Sequence, residues 1–425
     1  MALRMARIVQ KYGGSSMGSI ERIQHVARKV AATARAGNQV VVVVSAMSGE
    51  TDRLLKLAGQ ISQRPRDREI DVLLATGEQV AIALLALALR ELGEECRSFL
   101  GHQVNIVTDS VHGSARIRTI DASPVQDCLA RGEVVVVAGF QGADQNGNIT
   151  TLGRGGSDLS AVAMAAAVQA DACEIYSDVD GIYTTDPNVC PKARRIDRIS
   201  CEEMLELASL GAKVLQARSV EFALKYKVAI CCKSTFVDGP GSWVLPELDG
   251  EQGGEMLAGL EGAVVTGVAC DKNTARVSVT RMPDRPSAAA ELFAPLAADA
   301  VNVDVIVQTA PQDGFCDLSF TVPKVSARRT VELLEMRRHS LGFGEVRVDD
   351  QVAKVSIVGA GMRSQPGVAL QCFQALGQAG INLQLISTSE IKISVVVPEH
   401  MADLAVRVLH DAFELDKPAG DRSLR

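Results

Sequence analysis

The chain has 425 residues, 47% of them apolar and 22% charged, and a formal net charge of −7. That is a globular composition with enough length for two or three cores, and it excludes an intrinsically disordered chain. The acidic balance, with no block of clustered Lys and Arg, argues against a nucleic-acid partner, because neutralising phosphates requires basic residues gathered on one face.

Ten cysteines are scattered along the sequence without metal-like CxxC spacing and read as reduced thiols; Cys231 and Cys232 fall in a strand-like run and point to opposite faces. The N-terminus reaches a glycine turn before a signal-peptide core develops. The longest uniformly apolar run, Val80 to Leu89, is half of the roughly 20 residues that a membrane span needs. A soluble, cytoplasmic protein with no membrane partner is expected.

In chain order, Ile8 and Val9 predict the end of a first strand, with Lys11-Tyr12-Gly13-Gly14-Ser15-Ser16 as the loop after it. Paired glycines let a backbone approach phosphate oxygens, and a following helix start can aim N–H groups at them. The same pair is equally an ordinary turn, and the GxxxxGK[ST] order is absent. Val40 to Val44 and Val134 to Ala138 predict buried strands of a mainly parallel sheet covered on both faces. Each runs into a loop of small and polar residues, where ligands bind in open α/β sheets.

Leu152-Gly153-Arg154-Gly155-Gly156-Ser157-Asp158 leads into an Ala-rich helix predicted to begin near Leu159. An Arg fork grips carboxylates in bidentate fashion, and Ser157 with the helix N-terminus adds donors. Asp158 reads as the helix N-cap, as a charge partner for Lys11, or as both. The segment from Ile175 to Pro187, with Ser177, Asp178, Tyr183 and Asp186, suits either a nucleoside pocket or an acidic surface loop.

Past residue 238 the composition turns rich in Gly, Pro and acids, which predicts a linker. A repeat follows: RVSVT from Arg276 parallels KVSIV from Lys354. Each copy reads as a strand, a Pro-containing loop, an amphipathic helix, and a strand opened by Asn302 or Asn382. Two such units leave sheet faces that cover each other when packed together. They resemble a tandem pair of βαββαβ ACT domains, with a pair of ligand-free ferredoxin-like modules as the plainer reading. The expected division is 1–245 catalytic, 246–262 linker, 263–345 and 346–425 regulatory.

Taken in order, KYGGSS, VVVVSAMSGETD, LLATGEQV, AGFQG, TTLGRGGSD, YSDVDGIYTTDP and LASLGAKVLQARSVEFA resemble the motif series of aspartate kinases in the amino-acid kinase family. The resemblance implies transfer of the γ-phosphoryl group of ATP to the β-carboxylate of L-aspartate. That reaction is a first step toward lysine, threonine, methionine or a dedicated aspartate-derived product, and it comes with feedback through the tail.

By resemblance, Lys11 and Lys213 neutralise the phosphoryl group in flight and Asp158 orients Lys11. Arg154 and Ser157 hold the aspartate carboxylates, and Thr51 and Glu78 bind its amino group. Gly13, Gly14, Ser45, Ser177, Asp178, Tyr183 and Asp186 complete the ATP site. Mg²⁺ is expected on the phosphates without a protein ligand. An ionised acceptor carboxylate needs no general base.

Asn188 stands where the family has Arg, with Lys192 or Arg194 as substitutes. In the tail, Gln308 and Thr309 of the first repeat and Ser389 and Glu390 of the second are the expected effector contacts. Pro286-Ser287 and Gln308-Thr309 replace the family's Pro-Gly and Gln-Asn, which predicts weakened feedback by lysine and threonine. A homo-oligomer through the ACT pair is also expected; an internal start at Met256 would yield a free regulatory subunit, with an ordinary Met before a domain as the plainer reading. The competing readings are another amino-acid kinase, acting on glutamate, acetylglutamate or a nucleotide monophosphate, and an amino-acid sensor that has lost catalysis. Retention of Lys11, Glu78, Arg154, Asp158 and Lys213 opposes the second.

Overall fold

The computed structural model describes residues 5–62, 67–212, 214–247, 264–363, 365–418 and 422. Two compact units form: Met1–Ile182 with Arg195–Ala208 and Lys213–Asp249, and Tyr183–Arg194 with Ser209–Ala212 and Gly250–Arg425.

In the first unit the valine runs become the centre of an eight-stranded sheet. Its order is Arg198–Ser200, Ser242–Leu245, Ile230–Ser234, Ala172–Ser177, Arg7–Tyr12, Gln39–Val44, Val134–Ala138, Cys96–Phe99. All strands from Ile230–Ser234 to Cys96–Phe99 run parallel. Val41 to Val44 and Val135 to Val137 are fully buried, as expected for β-branched residues in a sheet covered on both faces.

One face is covered by helix Ile20–Arg35, whose N-cap Ser19 accepts from the Arg22 N–H and whose buried Ile23, Val26, Ala27 and Val30 follow helical spacing. Helix Asp67–Glu91 packs into the same core through Ala81, Ile82, Leu85 and Leu89. This helix is long and apolar enough to cross a membrane by length and composition, yet its inward face also buries Asp71 and Glu78. Helix Gly156–Ala167, buried along its first ten residues, packs against the Arg7–Tyr12 strand.

Arg7–Tyr12 lies between strands reached by crossovers on either side, so its carboxyl end is the switch point where open α/β sheets form their clefts. Lys11 is part of this strand, in register with Val43 and Ile175, and not of the loop after it as predicted. Pairing with Gln39–Val44 on one side and Ala172–Ser177 on the other carries the ladder through Tyr12, three residues past the predicted strand end. A four-stranded side sheet, Ile117–Ile120, Ile106–Thr108, Gln141–Ala143, Ile149–Thr151, feeds directly into the Gly153–Asp158 loop.

The second unit holds one six-stranded antiparallel sheet in the order Asp304–Gln308, Phe315–Pro323, Gly267–Pro283, Val346–Val358, Lys392–Pro398, Leu385–Thr388. The two repeats interlock. Gly267 to Asp271, ahead of the first repeat, pair with Lys354 to Val358 of the second, and Val264, Val265 and Val268 join the second repeat's core. The strands after Asn302 and Asn382 open at Asp304 and Leu385, slightly later than predicted. Residues 183–194 belong to this unit: the Val268 N–H donates to the Thr184 carbonyl at 2.7 Å, and Thr184 Oγ1 lies 3.0 Å from His410 Nε2, both side chains fully buried. Most of the predicted linker, and Met256 within it, lies outside the described residues. All ten cysteines are free thiols, and all except Cys270 are buried.

Candidate active site

A cavity of about 340 Å³ opens at the carboxyl ends of the parallel strands of the first unit. Lys11 reaches it from the first strand, Gly14 from the following turn, and Ser45 from the end of the second strand. Thr51 and Glu78 come from two helices, and Arg154, Ser157 and Asp158 from the glycine-rich loop and helix start.

Lys11 Nζ and Asp158 Oδ1 form an ion pair at 2.6 Å, both side chains nearly nine-tenths buried. Asp158 does not cap its helix. Gly155, at φ 72°, is the N-cap, the helix starts at Gly156, and Asp158 sits in the first turn. The loop needs that left-handed residue, and a Cβ on Gly155 would come within 1.7 Å of Gln216 Cγ, so only glycine fits. The start three residues earlier than predicted leaves the Asp158 carboxylate free to hold Lys11, not the helix's own N–H groups.

Glu78 is 3% exposed. Its Oε1 accepts from the Ala46 N–H at 3.0 Å, while Oε2 is buried with no partner. Burial raises its carboxyl from 4.5 to about 7, offset only in part by the Ala46 N–H. A half-satisfied buried carboxylate facing a polar cavity is suited to a cationic ligand group.

Arg154 is exposed and lines the cavity; Ser157 lies against Gly139 so closely that a Cβ there would be 2.9 Å from the Ser157 Cβ. The Ser45 N–H donates to the Tyr12 carbonyl at 3.1 Å, and the Gly13 N–H to the Tyr176 carbonyl at 3.3 Å, which ties the loops after the first, second and Ala172–Ser177 strands to one edge. Ser177 and Asp178 stand at that edge, Ser177 Oγ accepting from the Val179 N–H at 3.3 Å.

Tyr183 and Asp186 belong to the second unit. Asp186 Oδ1 accepts from the backbone N–H and the side-chain amide of Asn188, at 2.8 and 3.0 Å. Lys192 is paired with Asp411 at 2.8 Å, and Arg194 Nε is buried without a hydrogen-bond partner. Lys213 lies outside the described residues.

Sequence reading missed Phe140, which lines the cavity at φ 68° with its N–H donating to Ser160 Oγ at 3.0 Å. AGFQG was visible as a motif, but nothing in it signals a bulky residue in the left-handed region. The Ala46 N–H that orients Glu78 was equally hidden, as backbone donors leave no mark on a sequence.

A second cavity, of about 330 Å³, lies in the first repeat of the second unit between Pro283, Arg285, Ser287 and Gln308. Ser287 is the N-cap of helix Ala288–Ala298 at φ 69°, where the matching residue of the second repeat is Gly367 at φ 98°. Of the four predicted effector contacts, Gln308 lines this cavity. Thr309 exchanges hydrogen bonds with the Asp317 backbone, and in the second repeat the Ser389 N–H donates to the Lys392 carbonyl while Glu390 pairs with Arg363 at 3.1 Å.

Residues 6–234 match the model of the amino acid kinase family and residues 355–413 that of an ACT domain. The chain belongs to the amino acid kinase family. Within it, the similarity runs to the aspartokinases: 52% identity to the aspartokinase of Pseudomonas aeruginosa, covering 98% of this chain and 99% of the relative, and 46% to that of Corynebacterium glutamicum, covering 97% of each. Among solved structures, the aspartate kinase from Synechocystis is 43% identical with a TM-score of 0.54, covering 96% of this chain and 69% of that one. E. coli aspartokinase III in complex with aspartate and ADP shares the fold, with a TM-score of 0.79 at 24% identity over 96% of this chain and 99% of that one.

Proposed function

We propose that the chain is an aspartate kinase that transfers the γ-phosphoryl group of ATP to the β-carboxylate of L-aspartate, giving 4-phospho-L-aspartate. The observation that carries this reading is the division of charge in one cavity. A buried carboxylate with an unpaired oxygen, Glu78, and a cationic fork, Arg154, share it with a lysine held by Asp158. An amino-acid diacid offers an ammonium to the first, a carboxylate to the second and its other carboxylate toward the third.

Thr51 and Ser157 add hydroxyl donors, and Lys11 stabilises charge on the transferred group, which is most of what phosphoryl transfer asks of a protein. Lys213 is the second cation of this scheme. Gly13, Gly14, Ser45, Ser177 and Asp178 take the nucleotide. The acceptor is ionised at neutral pH and requires no base.

Mg²⁺ fits this site only as a passenger of the nucleotide. The carboxylates lining the cavity are Glu78 and Asp158, the first bound to the Ala46 N–H and the second to Lys11, and no group of three metal ligands gathers among the described residues. The ion would neutralise phosphate charge while held by phosphate oxygens and water.

The catalytic domain spans 1–245 and the ACT modules 263–345 and 346–425, the latter joining copies into a homo-oligomer. Reduced thiols suit the cytoplasm. Lysine, threonine or both are the effectors, acting weakly because Ser287 occupies a glycine conformation beside Gln308 and Thr309 is turned onto Asp317. Hydroxamate formation with ATP, Mg²⁺ and a panel of acidic amino acids tests the reaction. Aspartate is expected to give product at the lowest concentration, and a preference for glutamate or an acylated glutamate would overturn the assignment.

A further inference from the structure

Two turns before Glu78, on the same face of the same helix, Asp71 is completely buried away from the cavity. Its carboxylate is saturated with donors. Thr151 Oγ1 donates to Oδ1 at 2.5 Å, the Gly113 N–H reaches both oxygens at 3.1 Å, and His112 Nδ1 lies 2.8 Å from Oδ2. None of these partners lines the cavity, yet Thr151 lies three residues before Arg154 in the chain and Gly113 approaches the residue next to it.

Gly113 closes the connection. Its carbonyl oxygen would be 3.0 Å from a Cβ on Gly153, the residue before Arg154, and Gly153 is held at φ 79°. The Ala115 N–H donates to the Thr151 carbonyl at 2.9 Å, and Arg218 binds the Leu152 and Ala115 carbonyls at 2.6 and 3.0 Å. Of the three residues leading to Arg154, Thr151 is bonded directly to the helix that carries Glu78, Leu152 is held by Arg218, and Gly153 lies against the Gly113 carbonyl, whose own N–H is bonded to Asp71.

We propose that Asp71 is a positioning residue for aspartate recognition, which through Thr151 and Gly113 sets the distance between the carboxylate-binding Arg154 and the ammonium-binding Glu78. The inference rests on the reading of Arg154 and Glu78 given above. A buried carboxylate that served stability alone could bond to any nearby donors; this one bonds to the segment ending at the substrate arginine and to the loop pressed against it. Misplacement by a fraction of an ångström is costly where two ends of one small ligand must be met at once.

The test is steady-state kinetics of Thr151→Val, Thr151→Ser and Asp71→Asn in the full-length protein, with melting temperatures recorded alongside and Arg154→Ala as reference. Thr151→Val, which removes only a hydroxyl, is expected to raise the KM for aspartate about tenfold with the KM for ATP unchanged. Thr151→Ser should restore the wild-type value, and Asp71→Asn, if it folds, should exceed the valine variant. A fall in melting temperature with an unchanged aspartate KM, or a loss spread equally over both substrates, overturns the proposal. If Arg154→Ala leaves the aspartate KM unchanged, the site reading itself fails and the positioning role falls with it. A raised KM in Arg154→Ala beside an unchanged one in Thr151→Val removes the positioning role alone.

Discussion

Replacing Glu78 by Gln keeps the shape and the acceptor for the Ala46 N–H but removes the buried charge, and its consequences differ in sign for stability and for binding. The folded protein holds this carboxyl near 7 against 4.5 when unfolded. A raised carboxylate pKa means that the folded state keeps a proton the unfolded state has lost. Stability from this group is therefore greatest below pH 4.5 and falls as pH rises to 7.

The difference of about 2.5 units corresponds to roughly 3 kcal/mol. Glu78→Gln does not ionise, so in the absence of substrate its stability relative to wild type should improve between pH 4.5 and 7 and then level off. Aspartate binding should move the other way. Losing a hydrogen bond to a charged partner, worth about 1.5–3 kcal/mol, raises the aspartate KM on the order of ten- to a hundredfold. Urea unfolding at pH 4.5, 6 and 8, paired with kinetics at pH 8, reads both. A variant that is less stable than wild type at pH 8, or whose aspartate KM is unchanged, would refute the argument.

Lys11→Met strands Asp158 as a mostly buried charge, so unfolding free energy should fall by about 3 kcal/mol while kcat drops at least a hundredfold. Adding Asp158→Leu should recover stability in urea melts but no activity, which separates the two roles of the pair. Gly139→Ala pushes a methyl toward the Ser157 Cβ and the Val44 carbonyl, 2.9 and 3.0 Å away, and should raise the aspartate KM more than the ATP KM in steady-state assays. Ser287→Gly relieves a left-handed serine and should stabilise the chain by about 1 kcal/mol in thermal melts. The same change should increase inhibition by lysine plus threonine.

The parallel core was readable because Val40 to Val44 and Val134 to Ala138 leave no face for water, and the repeat from Arg276 and Lys354 announced two similar modules. Their interlocking was not readable: Gly267 to Asp271 pair with residues more than eighty positions away, and no local pattern encodes that register. At the site, charged and glycine residues were legible as motifs. The arrangement that gives them meaning was not, because it depends on the Ala46 N–H beneath Glu78, the left-handed Phe140, and the early helix start that turns Asp158 toward Lys11. Asp71 escaped notice for a related reason: in sequence it is one acid in a helical stretch, and only the folded side sheet brings Thr151 and Gly113 to it.

A crystal structure of the chain soaked with L-aspartate and ADP bears most directly on the central claim. The account predicts one aspartate in the 340 Å³ cavity, its ammonium on Glu78 Oε2, a carboxylate on the Arg154 guanidinium and the remaining carboxylate toward Lys11. Aspartate bound away from both Glu78 and Arg154, with ADP still seated beside Gly13 and Gly14, would contradict it.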